Sequence, residues 1–180
     1  MSRFAIRPAT VADAEGIARA HVQAWHESYR GMIPDEVLDG LSVEARTARW
    51  RSIIGSAARP IILLVAEDRD RIVGFGTASG RLSAELPTDG EVTALYLIEA
   101  AKRQGVGRAL FGRLLGWFAE QNFHTAGLWV LTANTAARRF YEAMGGRADI
   151  TRIDRRHNVP LEETAYVWDV LAALAGRSRS

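Results

Sequence analysis

A basic turn at residues 102–108 is the first place in this sequence where residue types and spacing indicate chemistry. The segment KRQGVGR follows the apolar run LYLI and precedes a long amphipathic stretch. The first amides of a helix have no partner within it, and the helix dipole places partial positive charge there. Glycines let a phosphate approach such amides, and basic side chains add charge. The turn therefore predicts an anion site, with a plain strand-to-helix turn and solvated basic residues as the alternative.

The spacing of this turn differs from two widespread phosphate-binding motifs. It lacks the G-x-x-x-x-G-K-[ST] pattern of a P-loop and the G-x-G-x-x-G pattern of a dinucleotide-binding fold. A G-x-G pair alone favours the structural alternative, so a second group of residues is needed to decide between the two interpretations.

The second group is the segment NTAARRFYEAMGG, which follows a strand-like run and opens a helix. It places Asn134, Ala137, Phe140 and Tyr141 at fixed offsets. Packing could explain each of them separately. Asn134 would cap the helix, Ala137 and Phe140 would face the core, and Tyr141 would fill an amphipathic position. Only the combination of the two groups indicates more than structure.

The elements that would position these residues alternate between strands and helices. Apolar runs bounded by turn residues predict strands, and apolar residues at helical spacing predict helices. Thr10 and Asp13 have the spacing of a capping box, and Gly145 is suited to end a helix as a left-handed cap. The predicted strands cover residues 4–7, 61–68, 72–80, 90–98, 127–133, 148–156 and 164–172. The predicted helices cover residues 13–29, part of 31–41, 43–54, 106–121 and 135–144.

This order of elements predicts an α/β (mixed α+β) fold, a mixed sheet of about seven strands with helices on its faces. The 180 residues have the length of one domain, which we place at 1–175 with a tail at 176–180. A formal net charge of +2 does not indicate a nucleic-acid-coating protein. The sequence contains no cysteine, which excludes disulfides and thiolate metal ligands.

No segment of the sequence indicates export or membrane insertion. The N-terminus MSRFAIRPAT lacks the apolar core of a signal peptide. The longest apolar run, PIILLVA, is far too short to span a bilayer. We therefore expect a cytoplasmic protein.

Together, in this order and separation, the two groups of residues resemble the GCN5-related N-acetyltransferase (GNAT) superfamily. The resemblance covers nearly the whole chain, from FAIRPATVADAEGIA to AYVWDV. The family's pyrophosphate loop is written (Q/R)-x-x-G-x-(G/A). Residues 102–107 match it except that Lys102 holds the first place, and Arg103 stands where relatives often carry glycine. The second group matches the family pattern N-x-x-A-x-x-F-Y without exception.

The resemblance implies a GNAT-like, mostly antiparallel sheet that is splayed at its central strands, with acetyl-CoA as acyl donor. The glycine turn would bind the pyrophosphate. The strand segment LYL would run beside the pantetheine arm and help to polarise the thioester carbonyl. The residues implied to contact acetyl-CoA are Leu95, Tyr96, Leu97, Lys102, Arg103, Gln104, Gly105, Val106, Gly107, Arg108, Asn134, Ala137 and Tyr141.

The resemblance also implies two catalytic residues. Tyr141 matches the family's general acid, a phenol near the thioester sulfur that protonates the departing thiolate. Glu91, in the strand GEVTALYL, is in register with the general-base glutamate of the histone-acetyltransferase members. A carboxylate there could take the proton of the amine directly or through water. A solvated glutamate at the strand end is the alternative for Glu91, and a packed tyrosine is the alternative for Tyr141.

The acceptor pocket is less defined by the sequence. Trp25 and Tyr29 lie four residues apart on one helix face, and such a pair can hold a cationic amine or an apolar group. Core packing is the alternative for both. Glu91 is also expected to face the acceptor, and His157 is a candidate by its place in the closing loop. No spacing typical of metal ligands appears, so no metal is expected.

These observations predict an N-acetyltransferase that moves the acetyl group of acetyl-CoA to a primary amine by direct attack in a ternary complex. A small-molecule amine is favoured over a protein N-terminus, and neither nucleic acid nor membrane is expected as a partner. The resemblance leaves a homodimer open, since dimers are common in the family. The alternative function is a non-catalytic acyl-CoA-binding module, which would not need Tyr141.

Overall fold

A seven-stranded sheet runs through the described part of the chain, residues 3–56, 60–156 and 159–177 of a computed structural model. Its strands are β1 (Ala5–Pro8), β2 (Ile61–Asp68), β3 (Arg71–Gly80), β4 (Gly90–Leu97), β5 (Thr125–Leu131), β6 (Arg147–Arg156) and β7 (Val159–Asp169). The strand order is β1-β2-β3-β4-β5-β7-β6. β1 with β2, β5 with β7 and β6 with β7 pair antiparallel, whereas β4 and β5 pair parallel. The predicted fold class, a mostly antiparallel mixed sheet, is confirmed.

Six α-helices accompany the sheet within the same described residues. They are α1 (Ala14–Tyr29), α2 (Asp35–Asp39), α3 (Val43–Gly55), α4 (Val106–Glu120), α5 (Thr135–Ala143) and α6 (Val170–Arg177). α1, α3, α4 and α5 agree with the predicted helices to within a residue or two at their ends, and α2 lies inside the segment predicted to hold a short helix. None of the described helices has the length and hydropathy that crossing a membrane would require.

The start of α1 is fixed by the predicted pair of residues. Both the backbone amide and the hydroxyl of Thr10 donate to the Asp13 carboxylate, at 2.7 and 2.9 Å. Arg7, from β1, donates to Asp13 at 2.8 Å and to Glu67 of β2 at 2.9 Å. The hydrogen bond from Arg7 holds the pKa of Asp13 well below its usual range. One guanidinium therefore joins the first strand pair to the beginning of α1.

The C-terminal elements correct the prediction. The expected strand at residues 164–172 is wrong at both ends, because β7 begins at Val159 and the chain turns into α6 at Val170. Asp169 ends the strand and its carboxylate accepts a hydrogen bond from the amide of Ala172 at 2.8 Å, which favours a helix start. Residues 176–177 of the expected tail belong to α6, and residues 178–180 lie outside the described residues.

The chain divides into two compact units, each with its own buried residues. The first comprises Met1–Ala78 and Ala94–Leu114, and the second comprises Ser79–Thr93 and Leu115–Ser180. In the first unit, α1 packs on α3, and its buried core includes Ile17, Leu38, Leu64, Val65, Phe75 and Leu110. In the second unit, β5, β7 and β6 are neighbours, and its buried core includes Leu86, Phe118, Leu128, Ala165, Tyr166 and Trp168.

Candidate functional site

The turn between β4 and α4 has a left-handed backbone at two positions. Arg103 has a φ of 58° and Gly105 a φ of 82°. Apart from the chain neighbours of Gly105, no atom of the described residues lies within 4 Å of a Cβ built on it. The amide of Ala109 donates to the Gly105 carbonyl at 3.0 Å. The amides of residues 106–108 precede this hydrogen bond in the chain and are the first amides of α4. An open glycine beside the first amides of a 15-residue helix fits a phosphate group.

The side chains of this turn are engaged locally. Lys102 Nζ is 3.0 Å from Glu99 Oε2 and 3.3 Å from Ser28 Oγ, and Arg103 Nη2 is 3.2 Å from Glu99 Oε1. The hydrogen bond that Glu99 accepts from Lys102 lowers the pKa of Glu99. Gln104 Nε2 donates to a backbone carbonyl, that of residue 100, at 2.6 Å. The two cations are therefore partly neutralised, and the backbone of the turn is the more open binding element.

The segment Leu95 to Leu97 sits close against two glycines of β3. A Cβ on Gly74 would lie 2.2 Å from Leu97 Cδ2 and 2.8 Å from the carbonyl oxygen of Tyr96. A Cβ on Gly76 would lie 3.2 Å from Leu95 Cδ1. Successive strand residues face opposite sides of a sheet, so the two leucines share one face and Tyr96 points to the other. The glycines make room for both leucines.

On the side of Tyr96, six rings form what we call the aromatic cluster. Trp25 and Tyr29 meet edge to face with centroids 5.1 Å apart, as their spacing predicts. His21 stacks on Tyr96 at 5.1 Å, and the hydroxyls of Tyr29 and Tyr96 are 3.3 Å apart. The members of the aromatic cluster are His21, Trp25, Tyr29, Trp50, Phe75 and Tyr96.

Two members of the aromatic cluster bury polar atoms without satisfying them. Neither ring nitrogen of His21 nor Nε1 of Trp25 has a hydrogen-bond partner among the described residues, and the two residues are only 7% and 9% exposed. Burial lowers the pKa of His21 to about 3, and the charges of Arg46 and Arg49 add to this effect. His21 is therefore neutral at physiological pH. A buried polar group without a partner is costly, so these atoms point to a ligand or water.

Glu91 lies in the second unit at the start of β4, where that strand pairs with β5 through Glu91 and Gly127. Its residue is 9% exposed. Carboxylate oxygen Oε2 accepts hydrogen bonds from the backbone amides of Leu82 and Ser83, both at 2.9 Å. These contacts exclude the alternative that Glu91 is a solvated glutamate at the end of the strand. Glu91 orders the loop that joins β3 to β4, and its role as a base stays a prediction.

Tyr141 lies on α5, whose two ends are both fixed. Asn134 Oδ1 accepts from the amide of Ala137 at 3.1 Å, and Gly145 follows the helix with a φ of 82°. The expected helix cap and left-handed glycine are confirmed. Tyr141 is 8% exposed, and its ring is 5.9 Å from that of Trp168. The structure thus shows how residues of the motif fix the ends of α5, whereas the acid role of the Tyr141 phenol stays a prediction.

A second phenol near Tyr141 was not predicted. Tyr166, on β7, is fully buried, and its ring centroid is 6.0 Å from that of Tyr141. Its hydroxyl donates to Glu142 at 2.6 Å and accepts from Arg138 at 3.2 Å. Burial raises the pKa of Tyr166. The alternating pattern of β7 could indicate a buried face, but the partners of the hydroxyl lie 24 and 28 residues away in the chain.

Arg152 on β6 is a further residue that the sequence does not reveal. Its Nε and Nη2 donate to one oxygen of Glu163 at 2.9 and 2.8 Å, and its guanidinium carbon is 4.1 Å from the ring centroid of Trp129. Its Nη1 donates to Ser83 Oγ at 3.0 Å and to Glu85 at 3.2 Å. Arg152 and Glu163 are directly opposite in the β6–β7 register, which only a known strand pairing could predict.

The candidate residues fall in both units, and each unit gathers its own set. The first contains Leu95 to Leu97, residues 102–108, Trp25 and Tyr29. The second contains Glu91, Asn134, Ala137 and Tyr141. His157 lies outside the described residues. No group of three metal-ligating side chains occurs within residues 3–56, 60–156 and 159–177.

The model of the acetyltransferase (GNAT) family matches residues 20–146. An uncharacterized N-acetyltransferase of Bacillus subtilis, YuaI, is 28% identical over 171 residues, which are 94% of this chain and 95% of the relative. The matched range includes the glycine turn, Glu91 and Tyr141.

The fold is also found in solved structures. A GCN5-related N-acetyltransferase from Rhodopseudomonas palustris superposes with a TM-score of 0.73 at 18% identity, covering 94% of this chain and 97% of the other. YncA from Salmonella typhimurium, a putative acetyltransferase solved with acetyl-CoA, gives a TM-score of 0.67 at 19% identity and covers 93% and 94%. At this level of identity the likeness concerns the fold.

Proposed function

The chain belongs to the acetyltransferase (GNAT) family, and we propose that it moves the acetyl group of acetyl-CoA to a small primary amine by direct attack in a ternary complex. Family membership makes the chain an N-acetyltransferase. The single observation that carries the donor assignment is the open, left-handed Gly105 beside the first amides of α4. The acetyl-CoA named for the Salmonella structure supports the same donor.

We propose that the amides of residues 103–108 hold the pyrophosphate of acetyl-CoA. The support is the φ of 82° and the open space at Gly105, because a glycine without a side chain leaves the first helix amides open to a bulky anion. Leu95 to Leu97 would run beside the pantetheine, with their amides near the thioester carbonyl. Asn134 and Ala137 would contribute from the start of α5.

The proposed reaction needs a base for the ammonium of the acceptor and an acid for the departing thiolate. The neutral amine attacks the thioester carbonyl carbon, and its lone pair forms the new C–N bond while the carbonyl π electrons move to oxygen. The C–S bond then breaks, and the electron pair leaves with sulfur. Tyr141 gives its phenolic proton to the thiolate, and the acetylated nitrogen loses its remaining extra proton to water, from which the phenol is reprotonated. Glu91 takes the ammonium proton, directly or through one water.

The proposed role of Glu91 is compatible with its hydrogen bonds. The two loop amides occupy Oε2, and a carboxylate has a second oxygen with its own lone pairs. Proton transfer through a water is therefore open to a carboxylate that also orders the β3–β4 loop. We propose that residues 1–175 form one N-acetyltransferase domain, because a single family model matches residues 20–146.

The proposal is tested by the release of free CoA thiol from acetyl-CoA across a panel of primary amines. An acetyltransferase releases one thiol for each amine that it acetylates, and mass spectrometry should detect the acetylated amine in equal amount. A non-catalytic acyl-CoA-binding module would bind acetyl-CoA by calorimetry and release no acceptor-dependent thiol. That second outcome would overturn the proposed turnover while leaving donor binding intact.

A further inference from the structure

Arg46 on α3 carries a positive charge against the aromatic cluster without an acidic partner. Its guanidinium carbon lies 5.0 Å from the ring centroid of Trp25. The side chain is half-buried, and its Nε is buried without a hydrogen-bond partner in the described part of the chain. The ion pairs formed between described residues do not include it. An arginine with a buried Nε normally has a carboxylate or another acceptor, so the missing partner is informative.

The charges around Arg46 do not compensate it. Burial lowers its pKa; the interaction with the Tyr96 hydroxyl opposes this only in part, and the charge of Arg49 adds to the lowering. His21 is neutral because of the same burial and the same two arginines. Glu27, an acid on α1, already accepts from Gln23 at 2.8 Å and from the amide of Glu99 at 2.6 Å. The aromatic cluster therefore has a positive edge, which disfavours a polycation.

The unsatisfied polar atoms of the aromatic cluster suit an anion better than a second cation. Trp25 Nε1 is a donor only, and a neutral imidazole such as that of His21 offers one donor and one acceptor. The guanidinium of Arg46 adds donors in a fork that matches a carboxylate. The hydroxyl pair of Tyr29 and Tyr96 lies on the same cluster. Three separate side chains thus have buried polar atoms without partners at one place in the first unit.

We propose that Arg46, with Trp25 and His21, binds the carboxylate of an acceptor that carries both a primary amine and a carboxylate, as a free amino acid does. This inference rests on the proposed function and specifies its acceptor. The carboxylate would receive the guanidinium fork and the indole N–H, and the rings of the cluster would cover the acceptor's apolar part. Without the carboxylate, Nε of Arg46 would stay buried and unpaired, so the matching amine without it would bind poorly.

The experiment compares each amino acid with its decarboxylated partner. L-phenylalanine is measured against phenethylamine and L-lysine against cadaverine, by thiol release with the wild-type protein. A charge-assisted bidentate contact corresponds to about a 10- to 100-fold preference in kcat/KM for the amino acid. Equal or faster transfer to phenethylamine or cadaverine would overturn the inference and leave the proposed acetyl transfer standing. This arm needs no variant and so does not depend on the folding of one.

The variants test Arg46 itself. Arg46→Gln should lower kcat/KM for L-phenylalanine by about 10- to 100-fold and leave phenethylamine nearly unchanged, whereas Arg46→Lys should recover part of the loss. Arg51→Gln is the matched control, since it removes an exposed charge from the same helix. Melting curves and calorimetric acetyl-CoA binding establish that each variant is folded. A loss with Arg46→Gln that is equal for the acid and the amine would contradict carboxylate recognition.

The failure of turnover is distinguishable from the failure of this inference. If no amine in the panel accepts an acetyl group although acetyl-CoA binds, the proposed catalysis is wrong. Calorimetric binding of L-phenylalanine to the acetyl-CoA complex then decides the inference. Binding that weakens at least about 10-fold in Arg46→Gln supports it, and binding that is absent or independent of Arg46 overturns it.

Discussion

Tyr141 lies among rings that a phenylalanine would contact equally well. Its neighbours include Phe140 at 5.3 Å and Trp168 at 5.9 Å between centroids. Tyr141→Phe removes only the hydroxyl, so we expect little change in melting temperature or in acetyl-CoA affinity. If the phenol protonates the departing thiolate, turnover should fall by about 100-fold, the size of an ordinary general-acid effect. Thiol-release kinetics and calorimetry measure the two quantities separately.

The neighbouring phenol supplies a matched control for this change. Tyr166→Phe removes a buried hydroxyl that donates to Glu142, so we expect a loss of stability of about 1 kcal/mol. Its turnover should stay near that of the wild type. A turnover loss smaller than about threefold in Tyr141→Phe would contradict the acid role. A large loss of acetyl-CoA affinity would instead assign that hydroxyl to binding.

Glu91 needs a substitution that separates its hydrogen bonds from its charge. Glu91→Gln keeps an oxygen that can accept from the amides of Leu82 and Ser83, so we expect the melting temperature to change little. A glutamine cannot take a proton, so turnover at neutral pH should fall. The deficit should shrink as pH rises, because more of the amine is then already deprotonated. A pH–rate profile measures this, and wild-type rates at neutral pH would assign the base to water or to another group.

Glu91→Ala is the complementary change. It leaves the two loop amides without their acceptor and should lower both stability and turnover. Glu85→Gln is the control, because Glu85 is an exposed carboxylate of the same loop. A melting temperature that is unchanged in Glu91→Ala would show that the loop does not depend on this carboxylate.

His21 should make stability depend on pH. Its pKa is about 3 in the fold, against about 6.5 in an unfolded chain. Between these two values the unfolded state binds the proton and the folded state does not, so stability falls as pH decreases from about 6.5. The loss is at most about 1.4 kcal/mol per pH unit. Thermal melts at pH 7 and pH 5 should therefore differ less in His21→Phe than in the wild type. An equal difference in both proteins would contradict the burial of a neutral imidazole.

The sequence predicts those contacts of single residues that are local in the chain. The Trp25–Tyr29 contact and the Asn134 cap depend on offsets of four and three residues, and both are confirmed. The stacking of His21 on Tyr96 and the position of Arg46 above Trp25 were not predictable, because they depend on how helices and strands meet. The general-acid and general-base roles came from resemblance and stay predictions.

At the scale of the element, the start of α4 can be tested by adding a side chain. Gly105→Val places a β-branched residue at a φ of 82° and fills the open space beside the helix amides. We expect acetyl-CoA affinity to fall strongly, at least about 10-fold, because a side chain there excludes the pyrophosphate. Calorimetric titration of acetyl-CoA measures the loss.

The matched control for that change is another glycine in the same conformation. Gly145 also has a φ of 82°, also has open space around a built Cβ, and follows α5. Gly145→Val introduces a comparable backbone strain, so both variants should lose stability. Acetyl-CoA affinity should fall only in Gly105→Val. Equal affinities in the two variants would contradict pyrophosphate binding at the turn.

The elements were predictable wherever the pattern of apolar residues had one interpretation. Alternating or apolar runs bounded by turns gave β1 to β6, and helical spacing gave α1 to α5. The run VLAALAG is apolar throughout and fits a strand as well as a helix. The decision comes from Asp169, whose carboxylate accepts from the amide of Ala172, and from the high helix propensity of alanine and leucine.

At the scale of the whole molecule, the proposed acetyl-CoA contacts come from both units. If one molecule of acetyl-CoA engages them together, it should raise the melting midpoint of the chain in a single transition. At a free concentration 100 times Kd the stabilisation is about 2.7 kcal/mol, equivalent to about 5–10 °C for a chain of this length. Circular dichroism melts with and without acetyl-CoA measure this. Two transitions of which only one moves would contradict a shared ligand.

The two glycines of β3 differ in whether a change at one of them can be compensated. At Gly76, the atoms that a methyl group would crowd are the side-chain ends of Leu95 and Leu114, 3.2 and 3.1 Å away. A smaller side chain in place of Leu95 or Leu114 could make that room, so position 76 and these two positions can change together during evolution. At Gly74, the methyl group would also meet the main-chain oxygen of Tyr96 at 2.8 Å, which no replacement of a side chain removes. Substitution of Gly76 can therefore be compensated by a change at a neighbouring side chain in descendants of this sequence, whereas substitution of Gly74 cannot.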